Sequence, residues 1–371
     1  MLNKTKKDST KVNLIFKLIE LSETDEEWQA YIKQAMALSE KLTNDSNPEI
    51  AKKGKKGLAE AFYSMAYFYS SHSDLPKTLE NHEKSIKLKE ELGDIPGIIR
   101  SLDNIIYLNQ LKGNSEEVIK YSLKAVELYE ILKDNQGVSF AYSNIGLAYQ
   151  KEGNVPQSLY YYDLSLKINE KLGNQAGIAL AYNNIGFVYD EQNDKQKALI
   201  YYEKSLKIFE QAGDKKSTAV LLGNIGLLYY STFNNSSKAL TYLNKSLKLN
   251  EELKEKKGIA YSLNNIGTLY KNLNKNDTAL LCFLKSLQIS KSIGDNNGIT
   301  NVSANIGDIY LKKKQLSFAY LYSDSALVVA KNMSYPSAIR KAERSLTSID
   351  SAQGNYKGAF DHYKQFIIYR D

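Results

Sequence analysis

Cysteine occurs once in 371 residues, tryptophan once, histidine three times and proline five times. A single cysteine, Cys282, within the apolar run ALLCFLKSL, rules out a disulfide framework inside one chain and leaves the redox compartment undetermined. The three histidines, His72, His82 and His362, are scattered. With one cysteine they form no group with metal-ligand spacing, and no metal or other cofactor is expected. No run approaches the roughly 20 apolar residues needed to span a bilayer, and the opening MLNKTKKDSTKVNL has no signal-peptide core. Scarce proline, with 43% hydrophobic and 25% charged residues, suits a folded, helix-rich chain.

Catalytic motifs are missing too. AKKGKKG around Gly54 lacks the spacing and terminal Ser or Thr of a phosphate-binding loop, and neither GxSxG nor HExxH occurs. Carboxylates such as Glu203 and Glu210 follow helix-surface positions. An enzyme is not expected. The formal charge of +7 is modest, and most lysines sit in helix-face units such as Lys204 to Lys207, so nucleic acid is not favoured as a partner.

What the chain has instead is repetition. Asn-Ile-Gly appears five times, with glycines at Gly146, Gly186, Gly226, Gly267 and Gly307, spaced by 40, 40, 41 and 40 residues. Three residues after each glycine comes Tyr149, Tyr189, Tyr229, Tyr270 or Tyr310. Tyr142, Tyr182, Leu222 and Leu263 stand four before the first four, so one helix face carries a buried stripe. Ser158, Ala198, Ala239, Ala279 and Ala319 follow at twelve or thirteen, then Ser165, Ser205, Ser246, Ser286 and Ala326 seven further on. Small residues let two helix axes approach, with Tyr162, Tyr202 and Phe283 filling the remaining volume. Gly173, Gly213 and Gly294 end the second segment at left-handed caps. Each unit is therefore a helix hairpin. Eight are in register over residues 56–371, and residues 1–55 read as a ninth, divergent hairpin followed by the polar linker TNDSNPEIAKKGKK.

This order of aromatic, Ile-Gly, Tyr, Ala, aromatic and small residue resembles the tetratricopeptide repeat in a long form of about 40 residues. Nearly the whole chain is covered, although Asn109 and Asp350 replace the expected Tyr in the third and last hairpins. The resemblance implies an all-α, right-handed superhelical solenoid of about nine antiparallel hairpins. Its first helices would line a concave wall, with the Asn before Ile-Gly pointing into the groove.

Glycine inside a helix costs about 1 kcal/mol relative to Ala, so its recurrence implies a close contact that a side chain would block. Asn is a middling helix former, and its recurrence needs another reason. Stacked hairpins would set Asn104, Asn144, Asn184, Asn224, Asn265 and Asn305 in a ladder whose amides offer the donors and acceptors an extended peptide requires. Equally open is that each Asn hydrogen-bonds a neighbouring helix or a local carbonyl. Asn183, Asn264, Phe187, Leu227, Asp190 and Tyr230 are the neighbouring groove candidates. The lysine of the chaperone-tail carboxylate clamp is absent before every ladder Asn.

The expected partner is thus a protein or an extended peptide, with no nucleic acid and no membrane contact by this segment. Both ends resemble the edges of tetratricopeptide regions in bacterial membrane-bound sensor kinases, which would make this the periplasmic sensory part of a two-component protein. Phe366 fills a slot that is small in earlier hairpins and the apolar FIIY run stops without a polar cap, so the chain is expected to continue. The resemblance also allows a homodimer through flanking regions. The alternative is a free-standing cytoplasmic adaptor or a receptor of the peptide-pheromone type.

Overall fold

The computed structural model describes residues 8–72, 74–333 and 336–369. The outermost residues of both termini, including the first seven of the basic opening, lie outside this range. The described residues form eighteen α-helices and no strand, paired as nine antiparallel hairpins. They fall into two compact units, residues 1–172 and 173–371.

The first unit holds α1 (Asp8–Glu20), α2 (Asp25–Thr43), α3 (Pro48–Ser71), α4 (Leu75–Leu92), α5 (Ile95–Lys112), α6 (Ser115–Ile131), α7 (Asn135–Lys151) and α8 (Val155–Leu172). Leu102, Ile105, Ala141 and Ile145 are the buried centre of its largest core. The stretch expected as a linker is different in the structure. Asn47 accepts a hydrogen bond from the Glu49 amide, Pro48 starts α3, and residues 48–56 are its first turns. Gly54 and Gly57 there are contact points, since a Cβ would lie 2.4 Å from the Thr43 nitrogen or 2.5 Å from Ser39 Oγ.

The second unit holds α9 (Gln175–Glu191), α10 (Lys195–Gln211), α11 (Lys215–Phe233), α12 (Ser236–Glu252), α13 (Lys256–Asn272), α14 (Asn276–Ser292), α15 (Asn296–Lys312), α16 (Leu316–Asn332), α17 (Pro336–Gln353) and α18 (Tyr356–Ile368). Turns of two or three residues join most of the helices, many by one device. Gly213 takes φ 68°, a left-handed conformation that glycine adopts without strain, and Asp214 next to it accepts the Ser217 amide at 3.0 Å to begin α11.

Inside each of the five hairpins that carry Asn-Ile-Gly, the glycine is where the helices meet. A Cβ at Gly186 would lie 2.9 Å from the Tyr202 ring, and one at Gly267 would lie 2.7 Å from Phe283. The small residue of the second helix does more than make room. Ser205 Oγ donates to Ala179 O at 2.7 Å, Ser246 to Ala219 O at 2.6 Å and Ser286 to Ala260 O at 2.7 Å. Ser85 does the same to Ala59 O in the first unit. Asn109 and Asp350 do not break their hairpins. Both are buried, and Asn109 turns its amide back onto Ile105 O at 2.8 Å.

Gly186→Ala gains about 1 kcal/mol of helix propensity but overpacks against a fully buried tyrosine, an effect of about 1–3 kcal/mol. The expected net result is destabilisation, read as a lower urea midpoint at unchanged helical content. A raised midpoint would show that the ring yields freely.

His82 offers a pH-dependent test. It is buried edge-on to Tyr63, 5.5 Å between centroids. Burial, helped by the Lys89 charge, pushes its pKa down to about 4. Between pH 6.5 and about 4 the unfolded chain therefore binds a proton that the folded chain refuses, and stability falls as pH is lowered through that window. His82→Leu should flatten this loss by about 2–3 kcal/mol, measured as the difference between the urea midpoints of the two proteins from pH 7 to pH 4.5.

Candidate functional site

In the second unit α11 touches α13, α13 touches α15 and α15 touches α17, whereas the second helices of successive hairpins make no comparable contact. Stacking is therefore tightest along the first helices, which puts the inner face of this unit on their side.

The twelve residues expected to line that face behave differently from one another. In the first unit Asn104 and Asn144 are half-buried and bridge hairpins. Asn104 Nδ2 donates to Tyr63 Oη at 2.9 Å, and Asn144 Oδ1 accepts from Gln110 Nε2 at 3.0 Å. In the second unit Asn184 and Asn224 are also half-buried. Asn184 forms no hydrogen bond among the described residues, and Asn224 Oδ1 accepts only a long bond of 3.4 Å from Tyr261 Oη. Asn265 and Asn305 are buried and do not open onto the face. Asn305 is fixed on both sides, donating to Asn264 Oδ1 at 3.1 Å and accepting from Lys271 Nζ at 2.8 Å. Asn183 and Asn265 each leave one buried amide atom without a partner.

Phe187 is 42% exposed, and Leu227 is half-buried beside it in the register. Asp190 is held in its own turn by Lys195, and Tyr230 packs against the core of the second unit. One column was missed. Four residues before each Asn stand Arg100 and Phe140 in the first unit and Leu180, Val220, Tyr261 and Asn301 in the second, all exposed. An offset of four places them on the same helix face as the Asn, so the signal lay in the spacing. Val220, Tyr261, Asn264 and Asn301 also line a cavity of about 490 Å³ within the second unit.

Two family models match the sequence, both described as tetratricopeptide repeat, over residues 138–211 and 259–293. The chain is a tetratricopeptide-repeat protein. Solved structures similar to it include a Rap protein complexed with competence and sporulation factor. The TM-score is 0.58 at 14% identity, covering 98% of this chain and 97% of that one. The apo quorum sensor NprR from B. thuringiensis has TM-score 0.58 and 14% identity, covering 97% of each chain. A signal transduction ATPase (STAND) with a tetratricopeptide repeat sensor, from Pyrococcus horikoshii, has TM-score 0.55 and 17% identity. It covers 94% of this chain and 53% of that one. At these identities the likeness concerns the fold. No curated protein sequence matches significantly.

Within the tetratricopeptide frame the ladder position divides by electrostatics. Lys271 is largely buried, which lowers its pKa, while Asp308 at 3.5 Å acts in the opposite sense. Asn305 supplies its shortest hydrogen bond and so belongs to the packing of α13 on α15. Asn305→Ala should cost about 1–3 kcal/mol, because it strips a partner from a buried ammonium. Asn184→Ala should stay within about 0.5 kcal/mol, since it removes no bond. Chemical unfolding of the two variants checks the contrast, and equal losses would refute it.

Proposed function

We propose that this tetratricopeptide-repeat protein binds an extended peptide or protein segment along its first helices, without catalysing a reaction. The observation that carries the reading is the juxtaposition on one face of the second unit. Leu180, Phe187, Val220 and Tyr261 are exposed apolar side chains, while Asn184 and Asn224 between them have amide hydrogen-bonding capacity to spare. Apolar contacts flanking free amides suit a chain whose backbone needs donors and acceptors and whose side chains need cover.

We read the larger setting as signalling, with this chain as the ligand-binding, sensory region of a bacterial two-component protein. The STAND neighbour, an instance of a tetratricopeptide sensor in a longer protein, supports the sensory part of this reading. A second reading, a free-standing peptide receptor or adaptor, is supported by near full-length likeness to NprR and to the Rap protein solved with its factor. The mass and cell fraction of the native gene product separate the two. A membrane product far heavier than 41.9 kDa favours the first, and a soluble product of that mass favours the second.

Binding itself is tested by selecting a random twelve-residue peptide library against the full chain. The selected peptides should lose at least about tenfold in affinity for Asn184→Ala/Asn224→Ala, roughly 1.4 kcal/mol. They should keep it for Leu281→Ser, an exposed apolar position on a second helix. Peptides that bind the ladder variant as well as the parent, with the fold intact, would sink the groove reading.

A further inference from the structure

Lys89 stands at a slot that recurs along the chain. In four hairpins a side chain near the end of the second helix packs on the glycine that opens the next hairpin. Tyr129 meets Gly137, Asn250 meets Gly258, Ser290 meets Gly298, and Lys89 meets Gly97. The other three are neutral. Lys89 is only 2% exposed, and a buried ammonium is costly unless it is paired.

Its partners are weak. Lys89 Nζ reaches Gly97 O at 3.3 Å and Ser101 Oγ at 3.4 Å, and it forms no ion pair among the described residues. It lies 4.7 Å from the centroid of the Tyr63 ring, and the Arg100 guanidinium lies 4.1 Å from the same centroid. Two cations thus crowd one ring. Burial first, opposed by Glu60 and reinforced by Arg100, holds the Lys89 pKa down at about 8.

Both residues line a cavity of about 750 Å³ within the first unit, together with Lys53 and Lys56. The two carboxylates on its wall are engaged, Glu60 with Arg100 at 2.5 Å and Asp94 on the Gly97 amide at 3.1 Å. Arg100 answers Glu60, whereas Lys53, Lys56 and Lys89 form no ion pair among the described residues, and Val12, Phe16 and Pro96 add an apolar wall. We propose that this cavity binds an organic anion, a carboxylate on a small apolar body, with Lys89 and Arg100 holding the charge. The volume suits a small ligand. The free acid and the terminal carboxylate of a peptide share this chemistry. The site is separate from the ladder of the second unit and does not depend on the peptide reading.

The test is thermal unfolding of the full chain at pH 7 and matched ionic strength, with 4-methylvalerate as the free acid and 4-methylvaleramide as its neutral counterpart. A tripeptide ending in leucine, as acid and as amide, forms the second arm. At least one acid should raise the midpoint saturably while its amide does not, and the arm that responds identifies the source. Lys89→Met should abolish the response. It should also remove the gain in stability between pH 8 and 10 that arises because the unfolded lysine holds a proton the folded one has released. Should that variant fail to fold, Arg100→Gln must weaken the response. No response to either acid, or an equal response in the variants, overturns the proposal.

Discussion

Each central hairpin closes where a glycine of the first helix takes the side chain of Tyr162, Tyr202, Leu243 or Phe283 directly onto its backbone. A methyl group at that point would overlap the ring or branch, so the distance between the two helices is set by the absence of one carbon atom. The other repeated contacts follow from that distance. At this separation a serine hydroxyl of the second helix reaches a carbonyl of the first, as at Ser205 and Ser286. The penalty of glycine in a helix, about 1 kcal/mol, is accepted in every copy because the alternative is a looser hairpin.

Fixing the hairpin also fixes what its inner face can present. The ladder Asn, two residues before the glycine, lies at the rim of that contact, and its surroundings depend on how the next hairpin settles. Where a neighbour supplies Lys271 and Asn264, the amide is drawn into the packing, as at Asn305. Where no hydrogen-bond partner stands within reach among the described residues, as at Asn184, the amide keeps its capacity. One sequence position thus serves cohesion in one pair of hairpins and keeps hydrogen-bonding capacity in another.

The hairpins, the close glycines and the left-handed caps were legible because each is a local rule repeated in register. Gly173, Gly213 and Gly294 all have positive φ, and the glycine contacts lie where the pattern places them. The start of α3 was not legible. Lys52 to Lys56 read as a linker by composition, whereas Asn47 and Pro48 had already set the helix running. The fate of each ladder residue was hidden for another reason. Burial of Asn265 and Asn305 depends on the adjacent hairpin, and a periodic pattern carries no information about departures from periodicity.

Those departures are where a repeat chain is most informative, since every position has several internal controls. A lysine in the pattern KLKEEL reads as a solvated helix face, and it is the neutral side chains at the equivalent slot in other hairpins that mark Lys89 as anomalous. The last hairpin departs in the opposite sense of charge. Glu343 and Asp350 are both buried, and His362 stands between them, with Nδ1 2.5 Å from Glu343 and Nε2 3.7 Å from Asp350. Lys331 reaches Glu343 from α16 at 3.1 Å. Lys331 and His362 thus stand beside these buried acids from two helices, although Glu343 Oε1 and Asp350 Oδ1 keep no hydrogen-bond partner among the described residues. Lys89 forms no ion pair among the described residues, and only the charges of Glu60 and Asp94, both engaged elsewhere, offset its burial. The last hairpin sets ion pairs against its buried charge, whereas the second holds a buried ammonium on two long neutral hydrogen bonds, which is the position an added anion would improve.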